Sequence, residues 1–225
     1  MQKLIEEVSL REKCFVFKDR AEAGKLLARK LLKYKDTNSI VFAIPSGGVP
    51  VAAEVAKANA FPLDVIIVRK IQVPHNPEAG FGAVGPDNKV LMNENLLRSL
   101  SLSEKEVEQQ IQITRDIIKK RELLFRKELP FPSLKEKVVI IVDDGLATGY
   151  TMLSAVDFMK RHESQKIVVA VPTGVKRTVD SILPQVDELI CLNVRSGLVF
   201  AVAEAYEDWY DIDDEEVISI LNWRF

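Results

Sequence analysis

The residues best suited to chemistry lie in one segment, VVIIVDDGLATGYT, from Val138 to Thr151. Two adjacent carboxylates, Asp143 and Asp144, close a run of β-formers, and Gly145, Thr148, Gly149 and Thr151 follow at once. An ionised carboxylate only accepts hydrogen bonds, so the vicinal diol of a ribose is a good partner for it. Side by side, two such groups repel unless donors or a cation share the site. Glycine at 145 and 149 permits close approach and positive φ. Amides exposed where a helix begins, with the Thr148 and Thr151 hydroxyls, form a cradle for an anion. The combination describes a sugar-phosphate site: acids for the sugar, and the backbone from Gly145 through Ala147 and Tyr150 to Thr151 for the phosphate. A plain acidic loop capping a helix is the alternative, and the full succession of strand, acid pair and T-G-x-T favours the binding site.

Two better-known patterns fail on context. Gly80-Phe81-Gly82-Ala83-Val84-Gly85 matches G-x-G-x-x-G, but Pro74 and Pro77 precede it and Pro86-Asp87-Asn88 follows, so no strand leads in and no helix leaves. Gly24-Lys25 lacks the glycine-rich loop of a Walker A motif.

The elements that must position the acid pair alternate along the chain. Strands are expected at Cys14–Phe17, Ser39–Ile44, Asp64–Val68, Lys89–Met92, Val138–Val142, Lys166–Val171 and Glu188–Leu192. Helices are expected at Arg20–Tyr34 behind an Asp19 cap, Val49–Asn59, Tyr150–Arg161 and Val175–Leu183. Near-continuous Val/Ile runs between helices indicate an α/β fold, a doubly wound and mainly parallel sheet flanked by helices. Ligands in such a sheet bind beyond the C-terminal ends of the strands, where Asp143 and Asp144 would sit. Residues 69–88, rich in proline and glycine, are expected as a long loop or small flap, about 71–88. Ser103, with Glu106 as its capping-box partner, opens a long helix over about 103–127 whose apolar stripe packs on a neighbour or a second subunit. The arrangement expected is a single domain, 1–225, with a core over about 19–192 and a cap formed by the ends, about 1–18 and 193–225.

Bulk properties narrow the function classes. The 225 residues carry 31 Lys+Arg against 33 Asp+Glu, a net charge of −2, which argues against a general nucleic-acid or anionic-membrane binder. With only two histidines, His75 and His162, no Cys/His metal cluster can be assembled. The two cysteines, Cys14 and Cys191, sit in apolar stretches and read as buried thiols. No apolar run is long enough to span a bilayer or to form a signal peptide, so a cytoplasmic protein is expected.

Val138–Thr151 resembles the phosphoribosyl-pyrophosphate (PRPP) signature of the type I phosphoribosyltransferases. The resemblance implies that Asp143 and Asp144 hold the ribose hydroxyls while the bend to Thr151 encloses the 5′-phosphate. Pro45-Ser46-Gly47-Gly48-Val49-Pro50 resembles the family's pyrophosphate loop, which often contains a non-proline cis peptide, and implies pyrophosphate contacts from Ser46, Gly47 and Gly48. Many relatives have Arg or Lys where this chain has Ser46, which leaves Arg69 and Lys70 as the expected catalytic cations. Asp64–Lys70 and the loop to Gly85 resemble a subgroup of predicted phosphoribosyltransferases with few assigned substrates. His75, in that loop, is expected as an exposed histidine. Phe200–Trp209 is similar in outline to the hood of purine-using members, with Phe200 as base platform and Glu207 as metal-side acid, although Ala203 and Glu207 replace the usual Gly and Asp. Core packing within the hood is the plainer reading of Phe200, Trp209 and Tyr210.

What the resemblance implies is a Mg²⁺-dependent transferase that moves the 5-phosphoribosyl group from PRPP to a nucleobase or similar small acceptor and releases pyrophosphate. It also implies a homodimer without nucleic-acid or membrane partners. The rival expectation is a PRPP- or nucleotide-sensing regulator that has lost transfer, supported by Ser46.

Overall fold

A strand covered on both faces needs apolar side chains at every position rather than at alternate ones. The computed structural model describes residues 3–127, 129–197 and 200–222, leaving aside the side chains at 77 and 78. Its first half runs β1 (Lys3–Ile5), α1 (Arg20–Leu31), β2 (Ser39–Ala43), α2 (Gly48–Asn59), β3 (Leu63–Val65), β4 (Arg69–Val73), β5 (Asn76–Val84) and β6 (Val90–Met92). The second half runs α3 (Glu94–Ser99), α4 (Glu104–Arg126), β7 (Val138–Val142), α5 (Tyr150–Arg161), β8 (Lys166–Val175), α6 (Lys176–Ile182), β9 (Glu188–Arg195) and α7 (Asp214–Leu221). Six strands form one sheet in the order β1-β9-β8-β7-β2-β3, and every pairing in it is parallel.

The apolar run of β7 is explained by two cores. Val138, Ile140 and Val142 pack with side chains of α1, α2 and α7, while Val139 and Ile141 pack with those of α5 and α6. Each such side chain contributes roughly 1.5–3 kcal/mol through burial. On the second face Phe42 stacks on Phe131 at 5.2 Å, and Phe131 meets Phe158 edge-on at 5.0 Å. His162 lies 4.0 Å from the Phe158 ring, so it belongs to this aromatic packing.

Three expectations need correction. Residues 69–88 are mostly strand rather than loop: β4, β5 and β6 form an antiparallel sheet with register shifts around Gln72. Ile71, Phe81, Ala83 and Val84 are buried there, so enough apolar side chains are interleaved with the glycines to hold a sheet. The G-x-G-x-x-G pattern therefore lies largely in β5 and opens no helix. Second, Cys14–Phe17 is no strand and makes only an isolated bridge from Phe17 to Tyr206. Phe15 has φ 50°, which breaks an extended run, and the sheet edge is taken by β1. Third, Cys14 is exposed; only Cys191 is buried, and burial pushes its thiol pKa up.

The chain ends meet each other. Phe15 N donates to Glu204 O at 2.7 Å, Phe17 N to Ala205 O at 3.0 Å, and Glu207 N to Phe17 O at 2.8 Å. Of the ends expected to form a cap, residues 1–2, 198–199 and 223–225 lie outside the described residues.

Helix α4 is tied down at both ends. Ser103 and Glu106 form a complete capping box. Thr114, Ile118 and Phe125 are buried, and the helix packs on β4 and α7 of its own chain. At its far end Arg126 is only 3% exposed and lies 2.7 Å from Asp64 Oδ2. The same guanidinium donates to the carbonyls of Val65 at 3.2 Å, Leu129 at 3.3 Å and Pro130 at 3.1 Å. Removing it takes the cation from the Asp64 carboxylate and a donor from each of three carbonyls. Arg126→Ala should cost about 3 kcal/mol, read as a lowered midpoint in thermal or urea unfolding. Arg126→Lys should recover only part, because an ammonium cannot fork to all these acceptors.

Candidate functional site

The site begins where β7 leaves the sheet. Past Asp143 and Asp144 the chain returns to β8: Leu146 N donates to Thr173 O at 2.9 Å, and Val175 N to Leu146 O at 3.0 Å. Leu146 is buried, so the bend is pinned on both sides. Ala147 O then accepts from Thr178 Oγ1 at 2.5 Å, which fixes the next peptide. Gly149 has φ +81°, and a methyl group on it would lie 2.5 Å from Thr178 Cγ2, so neither backbone nor space admits a side chain. Helix α5 starts immediately after, with no side chain capping it.

The amides of this bend are available. Among the described residues, those of Ala147, Thr148 and Gly149 donate to no backbone oxygen, and the first helical amides, on Tyr150 and Thr151, have no intrahelical acceptor. They border a cleft of about 590 Å³ that also takes in Lys70, Gly80 and Gly82 from the antiparallel sheet and Phe200–Ala203 from the C-terminal segment. A row of N–H groups at a helix start, backed by the helix dipole, favours an anion.

The acid pair is held from three directions. Asp144 Oδ2 lies 3.0 Å from Arg20 Nε. Asp143 Oδ1 accepts from Asp144 N at 2.9 Å, and Tyr206 Oη donates to Asp144 O at 2.6 Å. Burial raises the pKa of both acids. For Asp143 the neighbouring Asp144 charge adds to the rise; for Asp144 the Arg20 guanidinium works against it. Arg20 is 6% exposed. It stacks 3.8 Å from the Trp209 ring and donates to Tyr210 O at 2.9 Å.

The loop between β2 and α2 closes the other side. Its Pro45–Ser46 peptide is cis. A side chain on Gly47 would overlap the Asp144 carboxylate, so this close approach of loop and acid requires glycine. Ser46 Oγ is 3.4 Å from Arg121 Nη2, and Arg121 also pairs with Asp214 at 2.8 Å. Arg69 and Lys70, consecutive in β4, leave opposite faces of that strand. Lys70 borders the cleft, whereas Arg69 lies within electrostatic reach of Arg121 and Asp214.

The phosphoribosyl transferase domain model matches residues 18–208, most of the chain. The chain belongs to this family. Proteins from two Mycobacterium tuberculosis strains, CDC 1551 / Oshkosh and H37Rv, both provisionally named phosphoribosyl transferase, are each 36% identical over 92% of the chain. The chain spans about half, 46%, of the length of these curated relatives. Among solved structures, TT1426 from Thermus thermophilus superposes with a TM-score of 0.73 at 35% identity, covering 91% of this chain and 97% of its own.

Within this family member the acid pair, the amide bend and the Ser46–Gly48 loop come together, with Lys70 opposite the bend. Phe200 is half-buried and borders the cleft. Trp209 and Tyr210 are 36% and 54% exposed, so neither is hood core; Trp209 covers Arg20 instead. Asp211 borders the cleft and Glu207 does not. His75 is exposed.

Sequence reading missed Arg20, Tyr206 and Arg121. Arg20 did leave a signal: it occupies the first position of α1, behind the Asp19 cap, where the helix dipole disfavours a cation. A basic residue there implies an acidic partner.

Holding two adjacent acids in a half-buried place has a sign in pH. The folded protein binds their protons more tightly than the unfolded chain, so stability falls as pH rises from the unfolded carboxylate range to the raised folded values. Asp143→Asn keeps the Oδ1 acceptor and removes the charge. It should raise the melting temperature at neutral pH, and the gain should shrink as pH falls toward about 4. A variant less stable than wild type at pH 7 would contradict this account.

Proposed function

We propose that this chain is a Mg²⁺-dependent phosphoribosyltransferase, using PRPP and a nucleobase or similar nitrogenous acceptor and releasing pyrophosphate. The observation that carries this reading is the bend at 147–151, whose unengaged amides face a cleft directly beside the acid pair. Amides there, with the Thr148 and Thr151 hydroxyls, would take the 5′-phosphate. Asp143 and Asp144 would accept from the ribose hydroxyls, which sets the sugar's orientation. The pyrophosphate would lie toward Ser46, Gly47 and Gly48, with Lys70 and Arg69 supplying positive charge.

In the step itself the bond from C1 to the pyrophosphate oxygen breaks and its electron pair leaves with pyrophosphate. The acceptor nitrogen donates its lone pair to C1 and releases its proton to solvent. Cations and amides fixed around the leaving group stabilise charge that appears only as that bond breaks. Phe200, at the cleft wall, would meet a flat acceptor. Asp211 lines the same cleft and Glu207 does not, so Asp211 would be the alternative to Glu207 as metal-side acid.

A magnesium ion would suit the oxygen donors of such a site. Among the described residues no three or more His, Cys, Asp and Glu gather to cage a metal, and Mg²⁺ needs few protein ligands because it takes phosphate and water oxygens. Bound with pyrophosphate, it would screen that group's charge.

Calorimetry with PRPP and Mg²⁺, followed by a pyrophosphate-release assay across an acceptor panel, tests the proposal. Asp144→Asn, losing charge-assisted bonds to the sugar, should lower kcat/KM for PRPP by about ten- to a hundredfold. Wild-type protein that takes up no PRPP would sink the proposal; binding without turnover on any acceptor would favour a sensor.

A further inference from the structure

Arg121 reaches the loop beside this site in a way the motifs do not account for. Arg69 reaches away from the cleft wall that Lys70 occupies and is half-buried. Its pKa is held down first by burial and then by the Arg121 charge, with Asp214 opposing. Arg121, from α4, donates to Asp214 Oδ1 at 2.8 Å and approaches Ser46 Oγ at 3.4 Å. Among the described residues the Arg69 side chain makes no hydrogen bond or ion pair, and the Asp214 carboxylate pairs with Arg121. Partly desolvated like charges are unfavourable together and call for an anion carrying more than one charge. The place is specific: Ser46 adjoins Gly47, and Gly47 abuts Asp144. An anion on the Ser46–Gly48 backbone would therefore sit between the ribose acids and Arg121.

We propose that Arg121 is a pyrophosphate-binding residue of this site. The long helix α4 brings in, from 75 residues away in sequence, a cation for the loop in which position 46 offers only a hydroxyl. Asp214, on the exposed first turn of α7, is the counter-charge that pyrophosphate displaces. An exposed carboxylate is readily resolvated on release, and a planar guanidinium can fork to two phosphate oxygens. The inference rests on the PRPP reading of the site and extends it to a residue outside every motif.

Calorimetry on the full chain with Mg²⁺-pyrophosphate, and separately with ribose 5-phosphate, tests it. Arg121→Ala should weaken pyrophosphate binding about tenfold or more, as expected for a lost charged hydrogen bond. Its ribose 5-phosphate affinity should stay within about twofold, because that ligand's contacts lie elsewhere. Arg121→Lys should fall between the two. Asp214→Asn, which frees Arg121 without touching it, should bind pyrophosphate more tightly than wild type, and this arm stands even if Arg121→Ala folds poorly. Unchanged pyrophosphate affinity in a folded Arg121→Ala, equal loss of both ligands, or weaker binding in Asp214→Asn would overturn the assignment of Arg121. A wild-type chain that binds neither ligand overturns the PRPP reading instead, so the two failures are distinguishable.

Discussion

The structure is organised around the problem of placing two carboxylates at the end of a buried strand. Asp144 is where the solutions meet. Its carboxylate faces Arg20 from the start of α1, its carbonyl takes the Tyr206 hydroxyl, and its side chain rests against Gly47. The first helix, the loop after β2 and the C-terminal segment are far apart in sequence, yet each is fixed by this residue. Arg20 itself is covered by Trp209, which shields the pair from water and strengthens the attraction. Removing one partner of such an arrangement leaves the other charged and poorly solvated, so the contacts stand or fall together.

That arrangement opposes stability and suits ligand binding for the same reason. Both acids have raised pKa values because burial disfavours their charge, so the site is ill at ease with its own electrostatics until donors arrive. Sugar hydroxyls are such donors. The amides of the bend are in the mirror situation, with N–H groups that donate to no backbone oxygen among the described residues. The folded core supplies the compensation: β7 is buried along its whole length, and two layers of apolar packing hold it in register with β2 and β8. A rigid strand with uncomfortable polar groups at its tip is a preorganised site.

The parts of this that could be read in the sequence are those made of consecutive residues. β7, the acid pair and the bend occupy one segment, so composition and order alone placed them at a strand end opening into a helix. The Ser103–Glu106 capping box was legible for the same reason. What stayed hidden depends on distant contacts. The antiparallel β4–β5–β6 sheet was masked because its glycines and prolines suggest a loop, while Ile71 and Phe81 become informative only once they are known to be buried. Cys14 and Phe15 lie in an apolar-looking stretch, but the positive φ at Phe15 turns the chain outward, which no propensity reveals. Arg69 and Lys70 read as one cationic pair, and strand geometry sends them to different neighbours.

Charge illustrates the same limit at the level of the whole molecule. A net of −2 disfavours a surface built for long polyanions, and it says nothing about a small one. Arg20, Arg69, Lys70 and Arg121 come from three elements, α1, β4 and α4, so their grouping is not visible along the chain, yet folding brings them around the acid pair and its loops. Helix α4 shows how such convergence is made dependable. Its 23 residues span about 35 Å, long enough for an unanchored end to sway. Arg126 locks its last turn to Asp64 and to neighbouring carbonyls, and Arg121 lies less than two turns from that lock. A cation carried on an anchored helix stays within reach of Ser46 without depending on the conformation of a loop, and that separation of anchor from contact is what lets an element outside the sheet contribute to chemistry at the sheet's end.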